Sequence, residues 1–379
     1  MAVRALARVN LAAIERNVAR LRGRLADGVG LCAVVKGGGY GHGALPAARA
    51  ALDGGARMLA VATAGEAAEL RDGGISDPIL VLGAVSDEEL PLAVAARGEL
   101  VAWTVDFVER LRGAAAGAGA GVAPVRVHVK LDTGMGRLGT RDFDEAVRVA
   151  ERVAAAAPAL ELAGAMTHLA SADEDPSFTA GQLARFEPFA RAMRERWPGI
   201  VVHAANSAAT LREPAGHFDL VRAGIAIYGC DPMNQDPAAH GLEPALELTS
   251  YVAAVKLARA GDSAGYGRRW VASADTWVAT VPIGYADGIR RALTNNCDVL
   301  IAGRRYPLVG TVSMDNITVD VGAPDSVRPG DRVTIIGSDG DERQTAEEVA
   351  RRIDTINYEI LCGITSRVPR VYHRDGTPA

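Results

Sequence analysis

Lysine is the rarest charged residue of this chain, and its three positions raise a chemical question. Lysine and arginine together number 41, yet lysine occurs only as Lys36, Lys130 and Lys256. A codon bias toward arginine accounts for the balance. Arginine keeps its charge and cannot act as an amine nucleophile or base, whereas lysine can. A chain of this kind keeps lysine mainly where that chemistry is required. Lys36 opens KGGGYGHG, and Lys130 opens KLDTGMGRLG, with Asp132 and Arg137 close behind. Further polar groups gather in short apolar settings: His168 in MTHLAS, His203, Asn206 and Ser207 in VHAANS, and Arg222, Gly224 and Ile225 in VRAGI.

These residues follow a repeated pattern. Eight apolar, β-branched runs recur: LCAVVK (31–36), MLAVAT (58–63), PILVLG (78–83), LVAWTV (100–105), VRVHVKLD (125–132), ELAGAMTHL (161–169), IVVHAAN (200–206) and VRAGIAIYG (221–229). Runs without polar alternation suit strands buried on both faces of a parallel sheet. Helix-like stretches such as ALPAARAALDGG, GEAAELRDGG, DEAVRVAERVAAAAP and GQLARFEPFARAMRERWPG lie between them. Eight βα units predict a (β/α)8 TIM-like barrel, the rival being an open doubly wound sheet.

The pattern changes near residue 230, where GCDPMNQDPAAHGLEP reads as a linker. Short strands at close spacing follow, in LELTSYVAAVKLA, TWVATVPIGYA, CDVLIAGRRYPLVGTV, NITVDVG and DRVTIIG, which predicts a mainly β C-terminal domain. One helix, TAEEVARRIDTINYEILCGI, is expected near the end, with Thr345 and Glu348 placed as a capping box. The expected domains are 9–235, the barrel, and 236–379, the β domain, joined by residues 1–8. An Ala/Gly run covers 113–123.

The composition narrows the function classes. The chain has 379 residues, 49% hydrophobic and 23% charged, with a net charge of −5. Such a balance excludes a disordered or fibrous chain and argues against a nucleic-acid binder. Arginines near the start leave no apolar core for a signal peptide, and no run of about 18 apolar residues predicts a membrane span. Four scattered cysteines (Cys32, Cys230, Cys297, Cys362) read as reduced thiols. The acidic loop cluster Asp173, Glu174 and Asp175 is not read as a metal site. The expectation is a cytoplasmic protein without a metal, a nucleic-acid partner or a membrane partner.

In a barrel, chemistry collects at the C-terminal strand ends, and the loops after the seventh and eighth strands are the usual phosphate site. Lys36 falls at the first such end, and Ser207 starts a helix after the seventh. An amine facing a phosphate cradle points to pyridoxal 5'-phosphate, which needs a lysine for its Schiff base and an anchor for its phosphate.

The residues so far assembled closely resemble the alanine racemase family. AVVKGGGYGHG resembles its pyridoxal-lysine signature, and the likeness continues through VKLDTGMGRLG, TH at 167–168, HAANSAAT, VRAGIAIYG, AGYGRRW, PIGYADG and GTVSMDNITVDV to the Tyr358 helix. It covers essentially the whole chain. It implies a barrel followed by a β domain, a head-to-tail homodimer with shared active sites, and interconversion of L- and D-alanine for peptidoglycan synthesis. By the same resemblance Lys36 is the Schiff-base lysine and one catalytic base, and Tyr266, donated by the partner subunit, is the other. Tyr40, Ser207, Gly224, Ile225 and Tyr358 hold the phosphate, and Arg222 faces the pyridine nitrogen. His168 sits beside the ring. Arg137 and the backbone of Met314 bind the substrate carboxylate, Lys130 matches a position carbamylated in many relatives, and Tyr285 with Tyr358 and Asp315 lines the entrance. One departure stands out. Gly37, Gly38 and Gly39 follow the lysine where relatives carry Ala and then Asn or Asp, and glycines hold their neighbour less firmly.

Racemisation removes the Cα proton from one face and returns one to the other, so two opposed bases suit it. Tyrosine is a poor base at its ordinary pKa of about 10, and His168 and Arg222 would favour its phenolate. Three rival readings remain at this point: a racemase of wider specificity, such as one acting on serine, a barrel-type pyridoxal phosphate amino-acid decarboxylase, and a non-catalytic pyridoxal phosphate carrier.

Overall fold

The computed structural model describes residues 4–117, 123–323 and 327–379. The chain divides into two compact units. One comprises Glu15–Gly39 and Ala44–Ile227, the other Met1–Ile14, Tyr40–Gly43 and Tyr228–Ala379. The first strand, β1 (Leu6–Asn10), therefore belongs with the C-terminal unit.

The first-named unit is a parallel barrel. Its strands are β2 (Gly30–Val34), β3 (Met58–Val61), β4 (Ile79–Val81), β5 (Gly98–Ala102), β6 (Val125–Lys130), β7 (Leu160–Met166), β8 (Val201–His203) and β9 (Leu220–Ala223). They pair in the order β8-β7-β6-β5-β4-β3-β2-β9. The two ends of this sheet meet through backbone hydrogen bonds from Asp219 N–H to the Val202 carbonyl and from Arg222 N–H to the Ala205 carbonyl, both 2.9 Å. All eight expected strands are present. They are apolar throughout because both faces are buried: Leu31, Leu59, Ile79, Leu80, Leu100 and Val127 have no exposed surface.

Local signals set the helices between strands. Thr63 and Glu66 form a capping box on the helix Ala64–Asp72. Asp142 caps Phe143–Ala155, Asp175 caps Pro176–Arg196, and Asn206 caps Ser207–Arg212, each by accepting a backbone N–H. The helix Val105–Gly117 carries the first part of the Ala/Gly run, while residues 118–122 lie outside the described residues.

One expected strand is shorter than its sequence suggested. VRAGIAIYG leaves the strand after Ala223 and turns into the 3-10 segment Ile225–Tyr228. The Ser207 hydroxyl bends it there by accepting the N–H groups of Gly224 (2.8 Å) and Ala226 (3.4 Å).

The other unit is built on a mainly antiparallel sheet. It contains β10 (Leu246–Tyr251), β11 (Ala254–Ala258), β14 (Thr276–Val281), β15 (Asp298–Ile301), β16 (Arg304–Val309), β17 (Ile317–Gly322), β18 (Arg332–Asp339), β19 (Glu342–Gln344), β20 (Arg370–Arg374) and β21 (Thr377–Pro378). A separate pair joins β12 (Ser263–Ala264) to β13 (Trp270–Val271). The main order is β11-β14-β17-β16-β15-β18-β10-β1-β20-β21, with β19 on β18. Strand β1 runs antiparallel to β10 and parallel to β20.

Two expectations are corrected here. The helix expected over residues 345–364 is two helices, Ala346–Arg351 and Asn357–Cys362. Asp354, at φ 54°, breaks the run, and the side chain of Asn357 turns instead to the Asp231 carbonyl (2.8 Å) and to Glu347 (2.9 Å). The stretch 229–244 is correspondingly more than a linker. Asp231 N–H donates to Glu347 at 2.9 Å, and Asn234 binds the Thr355 carbonyl and Asn357 N–H at 3.0 and 3.1 Å.

Candidate active site

Four cationic groups and three histidines converge in the barrel unit. Lys36 follows β2 and is half-buried. Gly37, Gly38 and Gly39 after it all adopt left-handed backbone, at φ 62°, 61° and 64°. Tyr40 continues this turn at φ 52°. Three successive residues in that region are strained for any L side chain, so glycine fits the turn in this chain. The Gly37 N–H donates to Glu66 Oε1 at 2.6 Å.

Arg222, on β9, is 2% exposed. Its guanidinium donates to His203 Nδ1 (2.7 Å), His168 Nδ1 (3.2 Å) and the carbonyls of Thr167 and Ala204 (both 2.9 Å). No carboxylate pairs with it among the described residues. Burial lowers its pKa to about 10. Burial also holds His168 well below the usual histidine value, and the charges of Arg222, Lys130, Arg137 and Lys36 add to the effect. His203 is likewise held low, by burial first and then by Arg222. Both imidazoles are therefore neutral at physiological pH.

A line of buried groups runs onward from His203. Its Nε2 lies 2.9 Å from His128 Nδ1, and His128 Nε2 lies 2.8 Å from Glu99 Oε2. Glu99 also pairs with Arg126 at 3.0 Å. Burial alone would raise the Glu99 carboxyl pKa, but His128 and Arg126 outweigh it and hold it below the usual value.

Lys130 ends β6 and is 3% exposed. Burial, with the charges of Arg222 and Arg137, pushes its amine down to about 8. Neighbouring Asp132 is spoken for. Its carboxylate accepts the N–H groups of Gly134 (3.0 Å) and Gly136 (3.0 Å) and pairs with Arg141 at 3.2 Å. This fixes the turn that carries Arg137, which is exposed. Ser207 is buried at the start of its helix. Its hydroxyl proton and the Ile225 N–H face no acceptor among the described residues, whereas Gly224 N–H is bound by Ser207.

The remaining expected residues sit in the other unit. Tyr40 is 8% exposed and packs against Tyr228 at 5.2 Å and Tyr358 at 6.0 Å between ring centroids. His42 stacks on Tyr228 at 4.4 Å, a structural role. Tyr266 is 74% exposed, on a turn whose flanking Gly265 and Gly267 take φ 73° and 71°. The Thr311 hydroxyl donates to the Tyr266 carbonyl at 2.6 Å. Tyr285 and Met314 are both exposed, on segments zipped by Tyr285 N–H to the Ser313 carbonyl and Ala286 N–H to the Met314 carbonyl, both 3.0 Å. Asp315 pairs with Arg367 (2.8 Å) and Arg4 (3.5 Å), and the same two arginines reach buried Asp287 at 3.3 and 2.5 Å.

Sequence reading missed Glu66, Glu99, His128 and the Arg4–Asp287–Arg367 cluster. Only Glu66 carried a local signal, as the acidic member of a T-x-x-E capping box. His203, through its hydrogen bond to Arg222, is part of this cluster. His217, bound to the Thr210 carbonyl at 3.1 Å, stands apart as structural. No helix among the described residues is long and apolar enough to cross a membrane.

Comparison with known proteins agrees across the chain. The families described as "Alanine racemase, N-terminal domain" and "Alanine racemase, C-terminal domain" match residues 9–232 and 245–372. The chain is 40% identical over 375 residues to alanine racemase 1 of Bacillus subtilis (strain 168), covering 98% of this chain and 93% of that protein. It is 41% identical to the alanine racemase of Geobacillus stearothermophilus, covering 97% and 93%. The crystal structure of alanine racemase from D-cycloserine-producing Streptomyces lavendulae superposes with a TM-score of 0.92 at 39% identity, covering 98% of each chain. The chain belongs to the alanine racemase family.

Proposed function

We infer that this chain is an isomerase that interconverts L- and D-alanine by moving the Cα proton between two bases, and that it supplies D-alanine for peptidoglycan in the cytoplasm. We assign residues 9–235 as its cofactor-binding barrel domain and 236–379 with 1–8 as its β domain. The cofactor we assign is pyridoxal 5'-phosphate, and its donor set fits. The Ser207 hydroxyl and the Ile225 N–H are donors left for a phosphate, and Gly224, Tyr40 and Tyr358 are assigned to the same group. When bound, pyridoxal phosphate supplies an aldehyde for the substrate amine and a conjugated ring that takes up the Cα electron pair.

The chain's own groups do the rest. Lys36 would hold the cofactor, and its free amine would take or return the Cα proton on one face. The partner subunit's Tyr266 does the same on the other face, which requires a homodimer. The 74% exposure of Tyr266 in a single chain supports that placement, since a catalytic phenol needs a covering partner. Arg137 and the Met314 N–H bind the substrate carboxylate. Lys130, an amine with a pKa of about 8 and no carboxylate partner among the described residues, is suited to add carbon dioxide and hold Arg137 as a carbamate. Tyr285, Tyr358 and Asp315 line the approach, and neutral His168 orients the tyrosine.

The observation that carries this reading is Arg222. A guanidinium only donates hydrogen bonds and keeps its protons, so facing a pyridine nitrogen Arg222 would leave that atom without a proton of its own. Its partners are two imidazoles and two carbonyls. In that position Arg222 would weaken the ring as an electron sink, which would favour rapid return of the proton over decarboxylation or transamination. Chiral analysis of L-alanine incubated in heavy water with the pyridoxal phosphate-loaded protein tests it. D-alanine carrying deuterium at Cα is expected, and its absence overturns the assignment.

A further inference from the structure

We propose that Glu66 is a positioning residue for Lys36, its carboxylate setting the direction in which the lysine leaves the barrel. This rests on the reading of Lys36 as the cofactor-bearing base. Glu66 Oε1 accepts the N–H of Gly37, the residue directly after the lysine, at 2.6 Å. Its Oε2 accepts the N–H groups of Ala62 (2.7 Å) and Thr63 (3.2 Å), which follow β3. Strand β3 lies beside β2, from which the lysine emerges. One carboxylate thus ties the lysine turn to the end of the adjacent strand through three backbone donors. The capping box accounts for Oε2 alone, and Oε1 is given over to the lysine turn.

The turn needs such a tie. Gly37, Gly38 and Gly39 bring no side chains, and a Cβ built at Gly37 or Gly38 would meet nothing within 4 Å. Packing therefore cannot fix the dihedrals beside Lys36. Within the turn itself, Gly39 N–H reaches the Val35 carbonyl at 2.9 Å. The Gly37 bond to a carboxylate is of the stronger, charge-assisted kind, and it acts at the peptide that determines where Lys36 points. In a two-base reaction the lysine amine must stay on its own face of Cα, so an error in this peptide moves the reacting atom directly.

Glu66→Gln keeps the shape but leaves one acceptor oxygen, which can serve Gly37 or the Ala62–Thr63 pair but not both. Thr63→Ala is the control: it removes the other half of the capping box, the 3.2 Å bond from Glu66 N–H to Thr63 Oγ1, and spares the Gly37 contact. Amide hydrogen exchange over residues 36–40 of the cofactor-free protein is read first. The rate at which added pyridoxal phosphate becomes attached to Lys36, trapped by borohydride reduction of the C=N bond, is read second. Glu66→Gln is expected to speed exchange and slow attachment by about tenfold, the scale of one charge-assisted hydrogen bond, while Thr63→Ala leaves both within about twofold. In the loaded protein, Glu66→Gln raises the Cα-deuterium isotope effect for the alanine antipode that Lys36 deprotonates and leaves the other unchanged. Equal behaviour of the two variants, or a Glu66→Gln protein that matches the parent, overturns the proposal. If the parent itself fails to take up the cofactor, the assignment of Lys36 falls, and the exchange comparison still decides the role of Glu66.

Discussion

Arg222 donates to His203 Nδ1 at 2.7 Å, and this one bond fixes the direction of every hydrogen bond from there to Glu99. Arginine can only donate, so His203 Nδ1 is an acceptor and its Nε2 carries the proton. That proton goes to His128 Nδ1, which leaves His128 Nε2 to donate to Glu99. The relay begins at the buried Arg222 guanidinium and ends at the Glu99 carboxylate, with two imidazoles between them whose donor and acceptor atoms these bonds set.

Glu99→Gln removes the anionic end while keeping its size. Breaking a buried charge arrangement from one side costs about 3 kcal/mol or more, so urea unfolding at pH 7 should show a loss of that order. The pH dependence follows from the lowered carboxyl pKa. Stability from Glu99 is present above the ordinary value of 4.5 and is lost as pH falls through the lower folded value. The parent should lose stability along that acid limb, and Glu99→Gln should lose less.

Arg222→Glu places a group that can share a proton where the guanidinium stood. Racemisation should slow by about a hundredfold, the usual effect of removing one preorganised donor, while transamination should rise relative to it. Counting pyridoxamine phosphate formed per alanine racemised gives the ratio, and Arg222→Lys serves as the folded control. An unchanged ratio would contradict the role assigned to Arg222.

Lys130 makes a stability prediction with the same sign of slope as the acid limb, in an alkaline window. Its amine titrates at about 8 when folded, against 10.5 ordinarily. Between those values the unfolded chain binds more protons, so the stability contributed by this site rises with pH across the window. Below it, the folded protein carries a buried cation at full cost. In bicarbonate-free buffer Lys130→Met should therefore stabilise the protein at pH 7 by up to about 3 kcal/mol. The gain should vanish near pH 10.5, as followed by urea unfolding at both values.

Alanine substitutions along the lysine turn should not be equivalent. At Gly37 and Gly38 a Cβ meets nothing within 4 Å, so the cost is left-handed backbone alone, about 1 kcal/mol. At Gly39 it meets Ala44 N and Ala47 Cβ at 3.3 Å, which adds crowding. Gly38→Asn should cost least, since asparagine tolerates this region. Thermal unfolding of the four variants gives the order.

Under the proposed shared-site arrangement, inactive Lys36→Ala and inactive Tyr266→Phe chains should recover activity when mixed, because a heterodimer would restore one site with both bases. One intact site in a heterodimer gives roughly half the parental rate per dimer by simple counting. Heterodimers that form without activity would place both bases in one chain.

The barrel was legible because its strands are buried on both faces, and a run such as LCAVV has no polar residue to mark an outer side. The β domain was legible through turn residues. Lys36, Lys130, His168 and Ser207 stood out as polar residues at the ends of apolar runs, and Arg222 as a lone charge within one. What could not be read were partnerships between distant positions. Nothing in the spacing of Glu99, His128 and His203 announces that they touch, since alignment across strands β5, β6 and β8 brings them together. The break at Asp354 was hidden for a related reason. The stretch 345–364 has helical composition, and the buried bonds of Asn357 to Asp231 and Glu347 override it.

The four residues Tyr40–Gly43 are grouped with the C-terminal unit although the chain on both sides of them belongs to the barrel. Arg370 donates to the Gly41 carbonyl at 3.0 Å, and Gly41 and Gly43 lie so close to the Leu361 carbonyl and the Tyr372 ring that no Cβ fits at either. These partners are more than 300 residues downstream. On the ribosome, a nascent chain can build all eight barrel strands and still lack what clamps the segment after the lysine. Maturation of this segment is thus deferred to the end of translation, and a chain cut short before residue 361 lacks every one of these clamping partners however well its barrel has formed.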